Sequence, residues 1–305
     1  MLPRVAIIVL TYNGVEDTLA CLASLERLDY PRERYRVVVV DNASQDGTPA
    51  AVRAAFPETF VFVVENGANL GFAAGNNVGL RYALAQGFDY ALLLNNDTEA
   101  APDLLSALVA AAESDPRAGA VGPIIYYHAA PARVWSAGGW IDWEQGISRM
   151  EGEVEDRGQF TATREVDFVT GCAMLLRRAA LERAGLLDER FFMYFEETEW
   201  CVRARRAGFR ILFVPQAKLW HKIPLNARFD KEYLAYYMTR NRLLFLRATG
   251  ARPRTWFKAL VLQDLRTYLS LCLRPKWRAR RGRVGMRLAW IDFWRGKFGR
   301  LEMTI

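Results

Sequence analysis

Several short clusters of oxygen-bearing side chains in this chain directly follow apolar runs. Tyr90-Ala-Leu-Leu-Leu94 ends in Asn95-Asn96-Asp97, and the valines at 37–40 end in Asp41-Asn42-Ala43-Ser44. A carboxylate beside amides can hold a hard cation, which in turn can hold phosphates. The same residues also make ordinary turns. A second acidic group, Glu196-Glu197-Thr198-Glu199, follows the aromatic stretch Phe191-Phe-Met-Tyr-Phe195. On a helix Glu196 and Glu199 share a face, while Glu197 points about 100° away. Acids in a first helical turn are favoured by the helix dipole. On an apolar ledge, desolvation would also raise a carboxyl pKa, as a general base requires. His221, one of two histidines, follows Trp220. A lone histidine is commonly structural, but imidazole is also a ligand for divalent metals.

These groups need a scaffold that brings them together. Residues 4–10, 37–40, 59–65, 89–94 and 120–126 read as buried strands. Helical patterns lie between them at 17–25, 48–56, about 69–86, and after Pro102. Alternation of this kind predicts right-handed βαβ units and a mostly parallel sheet with helices on both faces. Ligands of such sheets bind at the carboxyl ends of the strands, where Asp41 and Asn95–Asp97 stand. From 135 to 164 glycines and acids interrupt the pattern, which predicts irregular hairpins or a mobile loop, a candidate lid. Beyond it the sequence predicts a strand over 166–177, helices over 178–184 and 196–206, and a strand over 211–214.

The 305 residues are enough for one large domain or a domain with an appendage, and half are apolar. Four scattered cysteines show neither metal nor redox spacing, which suits reduced thiols. The first apolar run is too short for a signal-peptide core, and no apolar stretch reaches the roughly 18–20 residues of a spanning helix. A cytoplasmic protein is expected. The net charge of +7 is unevenly spread: residues 228–305 hold 19 Lys/Arg against 5 Asp/Glu, a surplus of +14, leaving −7 on residues 1–227. Helices are predicted over 233–247, 253–273 and about 283–298, with aromatics among the bases. That composition suits an anionic membrane surface, nucleic acid, or packing on the acidic body.

Seven phrases in order resemble one family: Val9-Leu-Thr-Tyr-Asn13, Val40-Asp-Asn-Ala-Ser44, Asn69-Leu-Gly-Phe-Ala-Ala-Gly-Asn-Asn77, Leu94-Asn-Asn-Asp97, Thr170-Gly-Cys-Ala173, Phe192-Met-Tyr-Phe-Glu-Glu197 and Trp220-His221. Together they resemble the family 2 glycosyltransferases of GT-A fold, especially the bacterial rhamnosyltransferase-like branch, over roughly residues 4–225. The resemblance implies a catalytic domain at 1–227 and a helical region at 228–305. It implies donor contacts from Thr11, Tyr12, Asn13, Asp41, Asn69, Gly71, Asn76, Asn77, Asn95, Asn96 and Asp97. Gly171, Cys172 and Trp200 would lie in the acceptor region. Asp97 and His221 would hold Mn2+ or Mg2+. Glu197 stands where the family usually has the aspartate base, with Glu196 supporting it and Glu199 as its rival. A carboxylate only accepts hydrogen bonds, so Asp41 would suit the N3–H of uracil or thymine.

The implied activity is inverting transfer of a sugar, rhamnose being the family-level guess, from a dTDP- or UDP-sugar to a glycan or lipid-linked acceptor. Location on the inner face of the cytoplasmic membrane is implied as well. A sugar-nucleotide pyrophosphorylase would need a Gly- and Lys-rich phosphate loop, but the first lysine here is Lys218. A non-catalytic membrane or nucleic-acid binder would leave the ordered acidic groups without a use. Nucleic acid is the less favoured partner.

Overall fold

A computed structural model of the chain describes residues 2–225, 232–273 and 277–301. The strands are β1 (Val5–Thr11), β2 (Tyr35–Asp41), β3 (Val61–Glu65), β4 (Tyr90–Asn95), β5 (Thr98–Ala100), β6 (Ala118–Tyr127), β7 (Ala130–Ser136), β8 (Gly139–Asp142), β9 (Ile147–Met150), β10 (Val154–Glu155), β11 (Arg164–Glu165), β12 (Ala173–Arg177) and β13 (Arg210–His221). The helices are α1 (Val15–Leu25), α2 (Thr48–Ala55), α3 (Gly71–Ala85), α4 (Leu104–Ser114), α5 (Arg178–Ala184), α6 (Glu196–Arg206), α7 (Glu232–Ala248), α8 (Pro253–Phe257), α9 (Arg266–Leu273) and α10 (Trp277–Trp294). A π-helical stretch, Lys258–Leu265, joins α8 to α9.

The main sheet runs β10-β7-β6-β12-β4-β1-β2-β3, with β13 beside β6 and pairing also with β5 and β11. β3, β2, β1 and β4 are mutually parallel, as the alternating pattern predicts. β12 enters antiparallel between β4 and β6, so the sheet is mixed. Successive side chains of a strand face opposite ways. Ile8, Val38 and Leu93 therefore join one core layer, and Ile7, Val37 and Leu92 the other. Burial on both faces explains the unbroken Val/Ile/Leu runs. The second layer is closed by α1 and α4.

The first layer contains Phe191 and Trp200 together with Leu243–Leu246 of α7. The first helix after the expected domain boundary thus shares the body's core, while the boundary itself lies outside the described residues. Arg242 of α7 also forms a buried ion pair with Asp264, to which Trp290 of α10 donates at 3.2 Å.

Two expectations change and a third is narrowed. The strand predicted over 166–177 starts only at Ala173. A turn precedes it, in which Cys172 N donates to Thr170 Oγ1 at 2.9 Å. The strand predicted to stop at 214 continues to His221, because a register shift between Val214 and Lys218 accommodates Pro215. Of the alternatives for 135–164, the hairpin is the one found: β8 and β9 pair in a two-stranded sheet that is anchored on the C-terminal helices. Thr255 Oγ1 donates to Trp143 O at 2.8 Å, and Trp143 stacks on Phe245 with centroids 6.1 Å apart.

Candidate active site

Strand register gathers the first polar groups at one edge. Thr11 pairs with Asp41 and Leu10 with Asn95, so β1, β2 and β4 finish together. Asp41 is 1% exposed. Its Oδ2 accepts from Ser44 N at 2.9 Å, while buried Oδ1 has no partner among the described residues. An unpaired buried acceptor is costly, so a ligand N–H would be well received there. Asn13, at φ 52°, braces the same turn: its Oδ1 accepts from Gln45 N at 2.7 Å. Tyr12 beside it is exposed. The Thr11 hydroxyl lies 3.0 Å from that of Thr18, and Asn96 Nδ2 donates to both, at 3.3 and 3.0 Å. Thr11 and Asn96 therefore hold each other's loops in place with these atoms.

The start of α3 forms the next wall. Asn69 Oδ1 accepts from Gly71 N at 2.9 Å, and Asn42 Nδ2 donates to Gly71 O at 3.0 Å. Gly71 has φ 78°, and a Cβ there would come within 2.5 Å of the Phe192 ring, so glycine is required. Asn76 donates to Phe72 O at 3.0 Å and keeps a buried, unpartnered Oδ1. Asn77 is a correction. Its amide bonds Leu187 O, Leu187 N and Glu189 Oε1 at 2.9–3.0 Å, which commits it to tying α3 to the 187–189 segment.

Pairing of β5 with β13 sets Thr98 opposite His221 and brings Asp97 beside the imidazole. Asp97 Oδ1 lies 3.1 Å from His221 Nε2, yet without the alignment of a hydrogen bond. Burial raises the Asp97 pKa, but His221 and Lys222 outweigh it and hold the carboxyl below its usual range. Burial likewise opposes charge on His221, but the Cys172 sulfur and Asp97 push its pKa up to about 10. Asn95 keeps its place at the strand end, where its N–H donates to Cys172 O at 2.9 Å. That bond brings the Gly171-Cys172 turn to the same edge.

Gly171 packs against Phe72, and a Cβ added to it would lie 3.7 Å from Glu197 Cβ. Glu197, in the first turn of α6, has a buried Oε2 with no partner. Desolvation pushes its pKa up to about 6, against backbone hydrogen bonds that lower it. Glu196 is raised well above the ordinary value, first by burial and then by the charge of Glu197. The two carboxyls share a site that disfavours double ionisation, so their protons come off in two coupled steps. Glu199 is engaged elsewhere, with both its oxygens 2.8 Å from Arg203 Nε. Trp200 is fully buried and donates to Gly185 O at 2.7 Å, so it is a core residue and not an acceptor contact.

Two neighbours carried little sequence signal. Lys222 places its ammonium 3.0 Å from Asp17 and its N–H 2.9 Å from Asp97 O. Trp135 meets the His221 ring edge-on, with centroids 4.7 Å apart. Lys222 directly follows the Trp-His phrase, which could have flagged it; only the fold reveals Trp135.

Over residues 6–185 the chain matches Glycosyl transferase family 2. It is 29% identical to the N-acetylglucosaminyl-diphospho-decaprenol L-rhamnosyltransferase of Mycobacterium tuberculosis, over 89% of this chain and 91% of that one. It is 23% identical to the dTDP-rhamnosyl transferase RfbF of Shigella flexneri, over 79% of each. The mannosyltransferase PcManGT of Pyrobaculum calidifontis, solved with GDP-Man and Mn2+, superposes with a TM-score of 0.61 at 21% identity, covering 97% of this chain and 88% of that one. With more than half its length matched and the fold shared, this protein belongs to glycosyl transferase family 2 and is a glycosyltransferase of GT-A architecture.

Proposed function

We propose that the enzyme moves a sugar, rhamnose being the first candidate, from a dTDP- or UDP-linked donor to a hydroxyl of a glycan or lipid-linked acceptor, with inversion. One observation carries this reading: Asp41 Oδ1, Asp97 Oδ1 and Glu197 Oε2 are all buried without hydrogen-bond partners around one sheet edge. Asp41 offers an acceptor for a pyrimidine N3–H. Relatives named for rhamnosyl transfer and for a dTDP-sugar favour that donor class.

The residues at the Asp97 corner fit a divalent cation. A carboxylate oxygen of Asp97 and an imidazole nitrogen of His221, 3.1 Å apart, are both donors that such an ion takes. Carboxylate with imidazole suits Mn2+ more readily than Mg2+. Asp97 and His221 would hold the ion, the imidazole giving up its proton as the ion binds, and the ion would supply charge neutralisation for the departing diphosphate. Lys222 adds a fixed positive charge nearby. Glu197 takes a proton from the acceptor hydroxyl. The oxygen then forms a bond to the anomeric carbon from the face opposite the diphosphate. The carbon–oxygen bond to the diphosphate breaks, and its electron pair leaves on the phosphate oxygen.

Residues 1–227 would form the catalytic fold, and 228–305 a helical region that also meets an anionic lipid surface. Phe257, Val261, Leu262, Leu265, Leu269 and Leu273 are exposed along the stretch from α8 to α9, within a region of strongly positive charge. Apolar side chains flanked by bases suit such a surface. No helix among the described residues is long and apolar enough to cross a membrane.

The test is thermal stabilisation by a panel of nucleotide sugars, each with Mn2+, with Mg2+ and with chelator, because a ligand that binds the folded state raises its stability. dTDP- or UDP-sugars with Mn2+ should give the largest shift. Equal shifts with purine nucleotide sugars, or none with any pyrimidine, would overturn the donor assignment.

A further inference from the structure

The five residues before Glu196 trace an unusual backbone. Phe192, Tyr194 and Phe195 all have positive φ, at 65°, 69° and 76°. Non-glycine residues adopt that region only when their surroundings impose it. Here the imposing groups come from a helix far along the chain. Asn241 of α7 donates through Nδ2 to Phe191 O at 2.7 Å, Met193 O at 2.6 Å and Tyr194 O at 3.0 Å. Arg240 donates to Phe191 O at 3.0 Å and Arg190 O at 3.3 Å, and its Nε donates to Asn241 Oδ1 at 2.9 Å. It also donates to Gly299 O at 2.8 Å, while Gly299 N donates back to Arg190 O at 2.9 Å. Both side chains are completely buried. The remaining carbonyl, Phe192 O, accepts from Phe72 N at 2.6 Å and Ala73 N at 3.2 Å, at the start of α3.

Each carbonyl from Arg190 to Tyr194 is therefore held, and the loop is gripped between α3 on the donor side and α7 behind. An ordinary buried polar pair satisfies its own hydrogen bonds. This one instead satisfies the carbonyls of a strained turn whose next two residues are Glu196 and Glu197. We propose that Arg240 and Asn241 are positioning residues, which set the direction and enclosure of the Glu196–Glu197 carboxyls relative to the donor loop. They act through the loop and touch no substrate. This rests on the reading of Glu197 as the base, which can be checked separately.

The test uses the full chain and three variants: Asn241→Ala, Leu244→Ala as a core-cavity control on the same helix, and Glu197→Gln. Infrared difference titration of the glutamate carboxyls needs no substrate. The wild type should show a carboxyl titrating near pH 6, which Glu197→Gln removes. Asn241→Ala frees the loop and admits water, so that titration should move down towards the ordinary carboxylate range. Leu244→Ala should lower the melting temperature without moving it. With dTDP-rhamnose and Mn2+, kcat for transfer or slow hydrolysis should fall at least tenfold in Asn241→Ala, with donor KM within about twofold of wild type. Arg240→Lys, which keeps the charge but not the planar set of donors, gives the same readouts if Asn241→Ala does not fold. Matching titrations and kcat values in the Asn241 (or Arg240) variant and Leu244→Ala would overturn the proposal. Normal turnover by Glu197→Gln would instead remove Glu197 as the base, while the infrared comparison would still decide whether α7 sets the carboxyl pair.

Discussion

Replacement of Glu197 by Gln gives the most demanding check on the transfer reaction, because rate and stability should move in opposite directions. The amide cannot accept the acceptor's proton. Loss of a general base costs roughly 10²- to 10⁴-fold, or about 3–5 kcal/mol of barrier. In the wild type the carboxyl must be ionised to act, and its pKa is pushed up to about 6. Activity should therefore be full above pH 7 and fall about tenfold per unit below 6, leaving roughly a tenth at pH 5. The variant's residual rate should lack that limb. A carboxyl whose folded pKa lies above its unfolded one favours folding fully only below the unfolded value. That contribution is lost as pH rises through about 6. The neutral amide avoids the loss, so Glu197→Gln should be more stable than wild type at pH 8, by at most ~2 kcal/mol for a shift from the ordinary value of 4.5. The assays are nucleotide release from dTDP-rhamnose between pH 4.5 and 8, and denaturant unfolding at pH 5 and 8. Nucleotide binding should be unchanged. A variant that keeps more than a tenth of wild-type turnover, or retains the acid limb, would refute the reasoning. Glu199→Gln should lower stability through its lost Arg203 partner and leave the limb in place.

Three other outcomes are expected. Asp97→Ala should lower Mn2+-dependent activity by roughly 100-fold, since a bound metal contributes several kcal/mol; Asn95→Ala should cost clearly less, and equal losses would contradict the assignment. Asp264→Ala should lower stability by about 3–5 kcal/mol, by leaving Arg242 buried and unpaired, as measured by chemical denaturation. Joint replacement of Leu262, Leu265 and Leu269 by Asp should abolish flotation with phosphatidylglycerol vesicles, because each apolar side chain buried in lipid is worth about 1.5–3 kcal/mol. Its melting temperature should barely change, since all three are exposed. Unaltered flotation would exclude this face.

The sheet edge where β1, β2 and β4 end was legible because its logic is local. Each apolar run ends in its own polar cluster, and parallel pairing then aligns those ends, as Thr11, Asp41 and Asn95 show. The Asp97–His221 meeting depended on a strand that continues through Pro215, which local propensity alone argues against. Trp200 and Asn77 were misread for a related reason. Asn77 closes one of the family phrases and Trp200 follows another, but tertiary packing takes up their polar side-chain atoms. The largest gap was α7. Charge and aromatic content marked the C-terminal region as a surface, yet Leu243–Leu246, Arg240 and Asn241 are interior. Burial of Arg240 depends on carbonyls some fifty residues earlier, which no pattern within α7 records. One practical result follows. A chain cut near residue 228 would expose the core, so membrane binding is better tested by point changes.

The grip of α7 on the loop before Glu196 also has a bearing on the order of synthesis. The strand ends from Thr11 to Asp97 are made first, the carboxyl pair follows a hundred residues later, His221 next, and Asn241 comes after all of them. Domains generally fold as units, so a domain whose core includes α7 waits for that helix to emerge. Ribosome-bound chains stalled before residue 240 therefore lack both the helix that closes the core and the side chains that hold this loop, and are expected not to transfer sugar. A single late helix would thus complete the core and the catalytic loop in one step.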